Sequence, residues 1–173
     1  MSKTNFIEIA TERLLLAKLQ KTDWEMVSFL RTDENVNKFI QRPTAETKEK
    51  ALQFIERIHK NIENQDSYYW KITKKGNATM IGAISLWNFS KDRKAAEVGY
   101  DLSPKYQGKG IMSEALQNVI TFGFQNLNLD LIEAYTHYQN ESSKTLLKRN
   151  GFRLVEGKKD ADNTTNIVYE LKK

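Results

Sequence analysis

The pattern of apolar and polar positions along the chain predicts alternating strands and helices. A mostly apolar run at 13–19 predicts a first strand, and aromatic and β-branched residues between 68 and 102 predict three more. Between Ile111 and Leu127, apolar residues recur every three or four positions, which is typical of a long amphipathic helix. The strands predicted before this helix cover 13–19, 68–74, 80–89 and 94–102.

Two helices are predicted between the first and second strands, and four elements after the long helix. Thr22 and Glu25 have the spacing of a capping box, which predicts a helix continuing to about Arg31. A second helix is predicted to start near Ala45, because apolar residues recur on one face from Ala51 to Ile62. The last elements are a strand at 131–137, a helix at 141–149 and strands at 152–157 and 165–171.

The resulting order, β-α-α-β-β-β-α-β-α-β-β, favours one mixed, mostly antiparallel sheet with helices on its faces, which is an α/β (α+β) fold. The long helix connects strand 94–102 to strand 131–137, so these two strands are expected to be parallel. No internal repeat or Pro/Gly/Ser-rich linker interrupts the sequence. We therefore expect a single domain over residues 1–173.

The composition excludes several kinds of chemistry. The 173 residues include no cysteine, which excludes disulfides, thiolate metal ligands and a cysteine nucleophile. The only histidines are His59 and His137, so no metal site is predicted. No apolar stretch approaches the length of a membrane-spanning helix, and Met1–Phe6 lacks the apolar core of a secretion signal. We therefore expect a cytoplasmic protein that has no membrane partner.

The net charge of +5 favours an anionic partner, for example nucleic acid, a phospholipid headgroup or a phosphorylated cofactor. Basic residues are scattered along the chain and form no run longer than a pair, such as Lys158-Lys159. A nucleic-acid-binding surface normally clusters its basic side chains. Nucleic acid is therefore not the expected partner.

The most informative segment joins strand 94–102 to the long helix. It contains Gly108 and Gly110, immediately before the first turn of the helix. A helix N-terminus presents unpaired N–H groups, and glycines let that backbone approach a phosphate closely. Lys105 and Lys109 add positive charge nearby. The spacing matches neither a Walker loop nor the dinucleotide fingerprint, so a tight turn without a ligand is the alternative.

Three spaced parts of the chain carry a family resemblance. They are Glu97–Leu102 followed by Lys105–Ala115, then Thr11–Leu16, and finally Asn140–Ser143 followed by Asn150–Phe152. Together they resemble the acetyl-CoA signature, the opening strand and the Asn-x-x-Ser … Gly-Phe segment of the GNAT N-acetyltransferases. The resemblance is to the ribosomal-protein N-terminal acetyltransferase (RimJ/RimL-like) branch, and it spans residues 11–171.

The resemblance implies a GNAT domain in which a splayed pair of parallel strands holds acetyl-CoA as co-substrate. The backbone around Leu102 is expected to bond the pantetheine arm and to polarise the acetyl carbonyl, and Asn140 to bond the arm from the opposite strand. Lys105 stands where the family motif usually has arginine or glutamine. The residues implied in binding are Leu102, Lys105, Gln107, Gly108, Lys109, Gly110, Ile111, Met112, Ser113 and Asn140.

For proton removal from the amine, the resemblance implies Glu97 acting through water, because many relatives keep a glutamate at that position. Along a strand, Glu97 shares one face with Gly99 and Asp101. The alternatives are an exposed strand carboxylate and a partner for a neighbouring lysine. His137 is a second candidate base, with a structural role as its alternative.

For protonation of the leaving thiolate, many relatives use a tyrosine at the position that Leu147 occupies here. This departure leaves Ser143 as the candidate acid. Its alternative is to cap the helix that starts beside it.

The branch resemblance implies that the acceptor is a protein or peptide N-terminal amine, attacking acetyl-CoA directly in a ternary complex. A small-molecule amine (polyamine, aminoglycoside or amino acid) is the alternative, because segments 32–45 and 157–165, which are expected to set acceptor choice, contain no motif. A non-catalytic acyl-CoA-binding module is another alternative. A homodimer is compatible with the sequence, although no residue predicts one.

Overall fold

Eight strands form one mixed sheet in the computed structural model, which describes residues 5–173. The strand order is β1-β2-β3-β4-β5-β6-β8-β7. The strands are β1 (Ile9–Ala10), β2 (Leu14–Ala17), β3 (Tyr68–Lys74), β4 (Asn77–Trp87), β5 (Ala95–Leu102), β6 (Leu131–His137), β7 (Arg153–Leu154) and β8 (Asn166–Lys172). The helices are α1 (Trp24–Thr32), α2 (Lys48–Glu63), α3 (Ile111–Gln125) and α4 (Glu141–Arg149).

The predicted element order is confirmed, with one addition and two corrections near the N-terminus. The addition is β1, which pairs antiparallel with β2. The capping box at Thr22 was wrong: α1 begins at Trp24, after a short 3-10 turn in which Asp23 Oδ2 accepts the Gln20 N–H at 2.7 Å. The start of α2 near Ala45 was also wrong, because Thr47 Oγ1 caps the helix by accepting a hydrogen bond from the Lys50 N–H at 3.1 Å.

The strand predicted at 152–157 is shorter than expected. Only Arg153–Leu154 belong to β7, at the edge of the sheet. The Val155 N–H makes one more bond to the Val168 carbonyl at 2.8 Å, and Gly157 (φ 75°) then turns the chain away. This left-handed turn ends the pairing and begins the loop that runs to β8.

The sheet is covered on both faces, which gives two buried clusters. On one face α3 packs through residues such as Leu116, Val119 and Phe122. Gly123 allows this close approach, because a Cβ there would lie 3.1 Å from Ile132 Cδ1. On the other face α1 and α2 pack around Ile55. The amphipathic stripe predicted for the long helix is therefore its core-facing side.

Strands β5 and β6 are parallel, as predicted, and they separate partway along their length. The paired register covers only Ala95–Glu97 and Leu131–Glu133, although β5 continues to Leu102 and β6 to His137. All other neighbouring strands are antiparallel. The sheet thus contains the splayed parallel pair that the family resemblance implied, with a gap that opens toward the start of α3.

Length and hydropathy exclude a membrane-crossing role for every helix between residues 5 and 173. Of the N-terminal segment considered above, Met1–Thr4 lie outside the described residues.

Candidate active site

The loop before α3 presents a continuous set of free backbone donors. Gly108 (φ 72°) and Gly110 (φ 74°) both adopt the left-handed conformation that favours glycine. Within residues 5–173, no acceptor lies within hydrogen-bonding distance of the N–H groups of residues 108–113. Six unpaired donors therefore lie at the positive end of the α3 dipole.

A network from the β1–β2 turn fixes the orientation of this loop. The Glu114 carboxylate accepts hydrogen bonds from Thr11 Oγ1 at 2.6 Å, from the Arg13 N–H at 2.7 Å and from Arg13 Nε at 2.6 Å. Arg13 Nη1 in turn donates to the Lys109 carbonyl at 3.0 Å. Because this carbonyl is held on the Arg13 side, the neighbouring N–H groups remain available to a ligand.

The loop has room for a diphosphate. A Cβ built on Gly108 would have no heavy atom within 4 Å, so the backbone there borders open space. Lys105 and Lys109 are exposed beside it. Free donors, a helix N-terminus, open space and two lysines are the features that a bound diphosphate requires, so these residues fit coenzyme A.

The end of β5 directs one backbone unit into the gap between the splayed strands. The Ser103 N–H bonds to the Ile81 carbonyl of β4 at 2.9 Å. Because successive residues of a strand point their N–H and C=O groups in opposite directions, those of Leu102 point away from β4, toward β6. The Leu102 carbonyl is occupied by Gln107 Nε2 at 3.0 Å, which links the loop to the strand.

A large cleft of about 1080 Å³ lies on the α1–α2 side of the splayed strands. It is lined by residues from β5, from the start of α4, from α1 and α2 and from the two loops at 39–43 and 159–163. Candidate residues Glu97, Asn140 and Ser143 all line this cleft. The structure therefore brings together the predicted base, the predicted acid and the predicted contact to the pantetheine arm.

The Glu97 side chain has the properties of a base that works near neutral pH. Burial raises the pKa of its carboxyl to about 7; the Asn88 amide, 3.4 Å away, opposes this rise, and the negative charges of Asp160 and Glu133 add to it. No lysine pairs with Glu97 among the described residues. The alternative of a lysine partner is therefore wrong, and Glu97 is partly buried, which differs from the alternative of an exposed carboxylate.

The start of α4 separates the roles of Asn140 and Ser143. Asn140 caps the helix, because its Oδ1 accepts the Ser143 N–H at 3.1 Å. The Ser143 hydroxyl takes no part in capping, and that alternative is wrong; instead it lies 2.5 Å from Tyr100 Oη. Burial raises the pKa of Tyr100 to about 12, so the phenol stays protonated near neutral pH. This hydroxyl pair crosses from β5 to α4, over the gap between the splayed strands.

The remaining candidates are placed as follows. Leu147 is fully buried in the core, so α4 offers no acid at the position where the resemblance implies a tyrosine. His137 lines the cleft, and its Nδ1 accepts the Gln139 N–H at 3.1 Å. Its ring lies 5.0 Å from that of Phe39, so this histidine also has packing partners in the 39–43 loop.

Sequence reasoning missed an ion pair in the cleft wall. Arg42 Nη2 lies 2.9 Å from Asp101 Oδ2, and both side chains are mostly buried. Asp101 Oδ1 has no hydrogen-bond partner within residues 5–173, and burial raises the pKa of this carboxyl. Strand alternation had placed Asp101 on the same face as Glu97. Its pairing with Arg42 depends on tertiary folding and carries no local signal.

No three acidic or histidine side chains converge on a common point anywhere in the described chain in a way that could hold a metal ion.

Comparisons with known proteins agree with this geometry. The sequence profile of the family described as "Acetyltransferase (GNAT) domain" matches residues 13–153. The uncharacterized N-acetyltransferase p20 of Bacillus licheniformis is 32% identical over 144 residues, which cover 83% of this chain and 80% of that protein. The ribosomal-protein-serine acetyltransferase of Escherichia coli is 36% identical over 91 residues, 53% of this chain and 50% of that one.

The fold is also that of a solved cofactor complex. The ribosomal-protein acetyltransferase RimL, in a crystal structure with coenzyme A, superposes with a TM-score of 0.81 at 19% identity, over 96% of this chain and 98% of that one.

Proposed function

The chain belongs to the GNAT family of N-acetyltransferases, and from that premise we propose that it transfers acetyl from acetyl-CoA to the N-terminal amine of a peptide or protein in the cytoplasm. The observation that supports this most directly is the row of six unpaired N–H groups at residues 108–113, beside the gap between β5 and β6. A diphosphate held there would leave the pantetheine arm free to extend into the gap.

Acetyl-CoA supplies an activated thioester, and the residues of this chain bind it and move protons around it. The N–H groups of residues 108–113 donate to the diphosphate, with Lys105 and Lys109 as neighbouring cations. Asn140 Nδ2 is available to the pantetheine arm, because capping uses only Oδ1. The Leu102 N–H donates to the acetyl oxygen as negative charge develops on it.

Glu97 accepts the proton that the amine loses, through a water molecule. A carboxyl with a pKa near 7 combines a large ionised fraction with useful basicity at neutral pH. Ser143 donates a proton to the departing thiolate and takes one from Tyr100, to which it is hydrogen-bonded. Tyr100 also lines the cleft, so water there returns a proton to its phenol oxygen, whose raised pKa favours the protonated form. Both groups line one cleft, as transfer without a covalent enzyme intermediate requires.

The peptide acceptor is supported by similarity to the ribosomal-protein-serine acetyltransferase and by the openness of the cleft. A volume of about 1080 Å³ lies slightly above the usual range for small-ligand sites, and it admits an extended chain end.

The test is a thiol-release assay with acetyl-CoA and three acceptor sets: N-terminal peptides, polyamines and aminoglycosides. We expect thiol release with peptides and acetylation of their α-amine, read by mass spectrometry. If thiol is released only with polyamines or aminoglycosides, the proposed acetyl transfer stands, and the acceptor is a small-molecule amine and not a peptide.

Thermal unfolding of the same protein distinguishes an enzyme from a binding module. A ligand at 100 times its Kd stabilises the folded state by about 2.7 kcal/mol. Stabilisation by acetyl-CoA without thiol release from any amine would indicate a non-catalytic acyl-CoA-binding module. If acetyl-CoA does not stabilise the protein and no amine causes thiol release, the proposed function is contradicted altogether.

A further inference from the structure

The cleft contains two arginines that make no salt bridge among the described residues. Arg31 of α1 and Arg57 of α2 both stack on the Phe54 ring, with guanidinium carbons 4.3 Å and 5.3 Å from its centroid. Among residues 5–173, neither makes a salt bridge. Arg31 Nη2 donates to the Pro43 carbonyl at 2.9 Å, which leaves its other donors free.

The other charges of this region are paired with one another. Arg42 is neutralised by Asp101, and Lys50 pairs with Glu46 one helical turn away. The two unpaired guanidinium groups therefore give this end of the cleft a net positive charge. Burial and the positive charges of Arg42 and Arg57 lower the pKa of Arg31 to about 10, and the nearby Tyr69 and Asp101 oppose this shift only in part. Like charges held this close destabilise each other unless an anion lies between them.

Two cavities meet at this pair of arginines. Arg31, Phe54 and Arg57 line the main cleft and also a smaller pocket of about 420 Å³ behind the 43–45 segment. The guanidinium groups are therefore reached from the acceptor cleft, and there is space beside them. Planar guanidinium groups stacked on an aromatic ring have donors oriented for carboxylate or phosphate oxygens.

Carboxylates on other elements also line the cleft. Glu97, Asp160 and Asp162 line it at the β5–β6 end, with Lys159 as the nearby cation. The cleft is thus polarised, with carboxylates where the amine is expected to lose its proton and free arginines on the α1–α2 side.

We propose that the acceptor is an amine that carries an anionic group, which Arg31 and Arg57 bind while the amine faces Glu97. The shared chemistry is a carboxylate or a phosphate. In a peptide acceptor it corresponds to an acidic or phosphorylated side chain within the first few residues. This inference rests on the proposed transfer to an N-terminal amine and narrows its substrate class.

The test uses pairs of pentapeptides that differ only by glutamate or glutamine at the second, third or fourth position, with a phosphoserine peptide as the phosphate arm. We expect the wild-type kcat/KM for the best-placed glutamate peptide to exceed that for its glutamine partner about tenfold, mainly through KM. A larger preference for the phosphoserine peptide would identify phosphate as the better anion. Equal use of glutamate and glutamine peptides at every position, with no gain from phosphoserine, would overturn the inference and leave the proposed acetyl transfer intact.

Variants of Arg57 test whether the arginines cause the preference for glutamate peptides over glutamine peptides. Arg57→Gln is expected to reduce it to below about threefold, and Arg57→Glu to reverse it in favour of glutamine. Lys60→Gln is the matched control: it removes the same charge from the exposed side of α2 but lines neither cavity, so it should keep the wild-type preference. A preference that survives Arg57→Glu would contradict the assignment to this pair.

Peptide binding measured without acetyl-CoA tests the anion site independently of catalysis. Fluorescence anisotropy of labelled, N-acetylated forms of the same peptides should show tighter binding of the glutamate form, which Arg57→Gln weakens and Lys60→Gln does not. If no peptide releases thiol but this difference in binding persists, the proposed function fails and the anion site remains. If binding is equal for both forms, the anion site fails.

Discussion

At the level of single side chains, the raised pKa of Glu97 predicts how the rate should depend on pH. A base with a pKa of about 7 gives a rate that rises as pH increases through 7 and its carboxylate forms. A peptide α-amine adds a second rise near its own pKa of about 7.7–8.0. Glu97→Gln should remove the first rise and keep the second, and it should lower kcat about 100-fold or more at pH 8.

The measurement is a pH series of kcat and kcat/KM for both proteins, with the Kd of acetyl-CoA as control. That Kd should stay unchanged, because Glu97 lies outside the 108–113 loop. If the two pH profiles coincide, Glu97 is not the base, and His137 becomes the next residue to test.

Ser143 makes a second prediction at this level. Ser143→Ala removes the hydroxyl proposed to protonate the thiolate, so kcat should fall about 100-fold while the KM of acetyl-CoA changes little. Ser142→Ala is the matched control, because Ser142 is exposed on the same turn of α4. Tyr100→Phe keeps the ring and deletes only the bond to Ser143, and we expect a smaller loss of kcat. If Ser143→Ala raises KM but leaves kcat unchanged, the serine has a binding role and not an acid role.

Among the secondary-structure elements, the junction of β5 and α3 carries the cofactor prediction. Gly108 and Gly76 have nearly the same left-handed φ, 72° and 78°, and a Cβ on either would meet nothing within 4 Å. Gly108→Asp and Gly76→Asp should therefore cost similar stability, about 1 kcal/mol each. Only Gly108→Asp places a carboxylate where the diphosphate binds, so only this variant should lose acetyl-CoA affinity.

Urea unfolding and calorimetric titration with acetyl-CoA measure the two effects separately. If Gly108→Asp keeps its affinity for acetyl-CoA, the diphosphate does not bind at this loop. Loss of affinity in both variants would indicate that strain, and not the introduced charge, is responsible.

The secondary-structure elements differ in how well the sequence predicts them. Helix α3 and its parallel flanking strands were predicted because their apolar periodicity is local and long. Strand β1 was missed because two residues carry no periodicity. The capping box at Thr22 was wrong because Thr22 lies inside a 3-10 turn, which Asp23 closes by accepting the Gln20 N–H.

The site shows the same division between local and long-range signals. Gly108, Gly110 and Asn140 could be proposed as site residues from motifs, whereas three contacts could not be predicted. Glu114 with Arg13, Asp101 with Arg42, and Tyr100 with Ser143 each join residues far apart in the chain, and only the assembled sheet brings them together. The motif residues thus predict a ligand class, while the residues that orient the loop and shape the cleft could be recognised only in the fold.

The complete fold makes a final prediction, because the sheet is continuous except where β5 and β6 separate. The N–H groups of Gly99 and Asp101 point toward β4, as the Ser103–Ile81 bond and strand alternation require, whereas those of Tyr100 and Leu102 point into the gap. Acetyl-CoA lying in the gap should therefore slow amide hydrogen exchange at Tyr100 and Leu102 and leave the β4-paired amides of β5 nearly unchanged.

Residue-resolved exchange with and without acetyl-CoA measures this, and pantetheine provides the control, because it fits the gap but lacks the diphosphate. Pantetheine at the same concentration should protect these amides far less, since most of the affinity is expected from the loop at 108–113. If both ligands protect the amides equally, most of the binding affinity comes from contacts of the pantetheine arm in the gap and not from the diphosphate. Uniform protection along β5 would mean that binding stabilises the sheet as a unit and does not complete an unpaired edge.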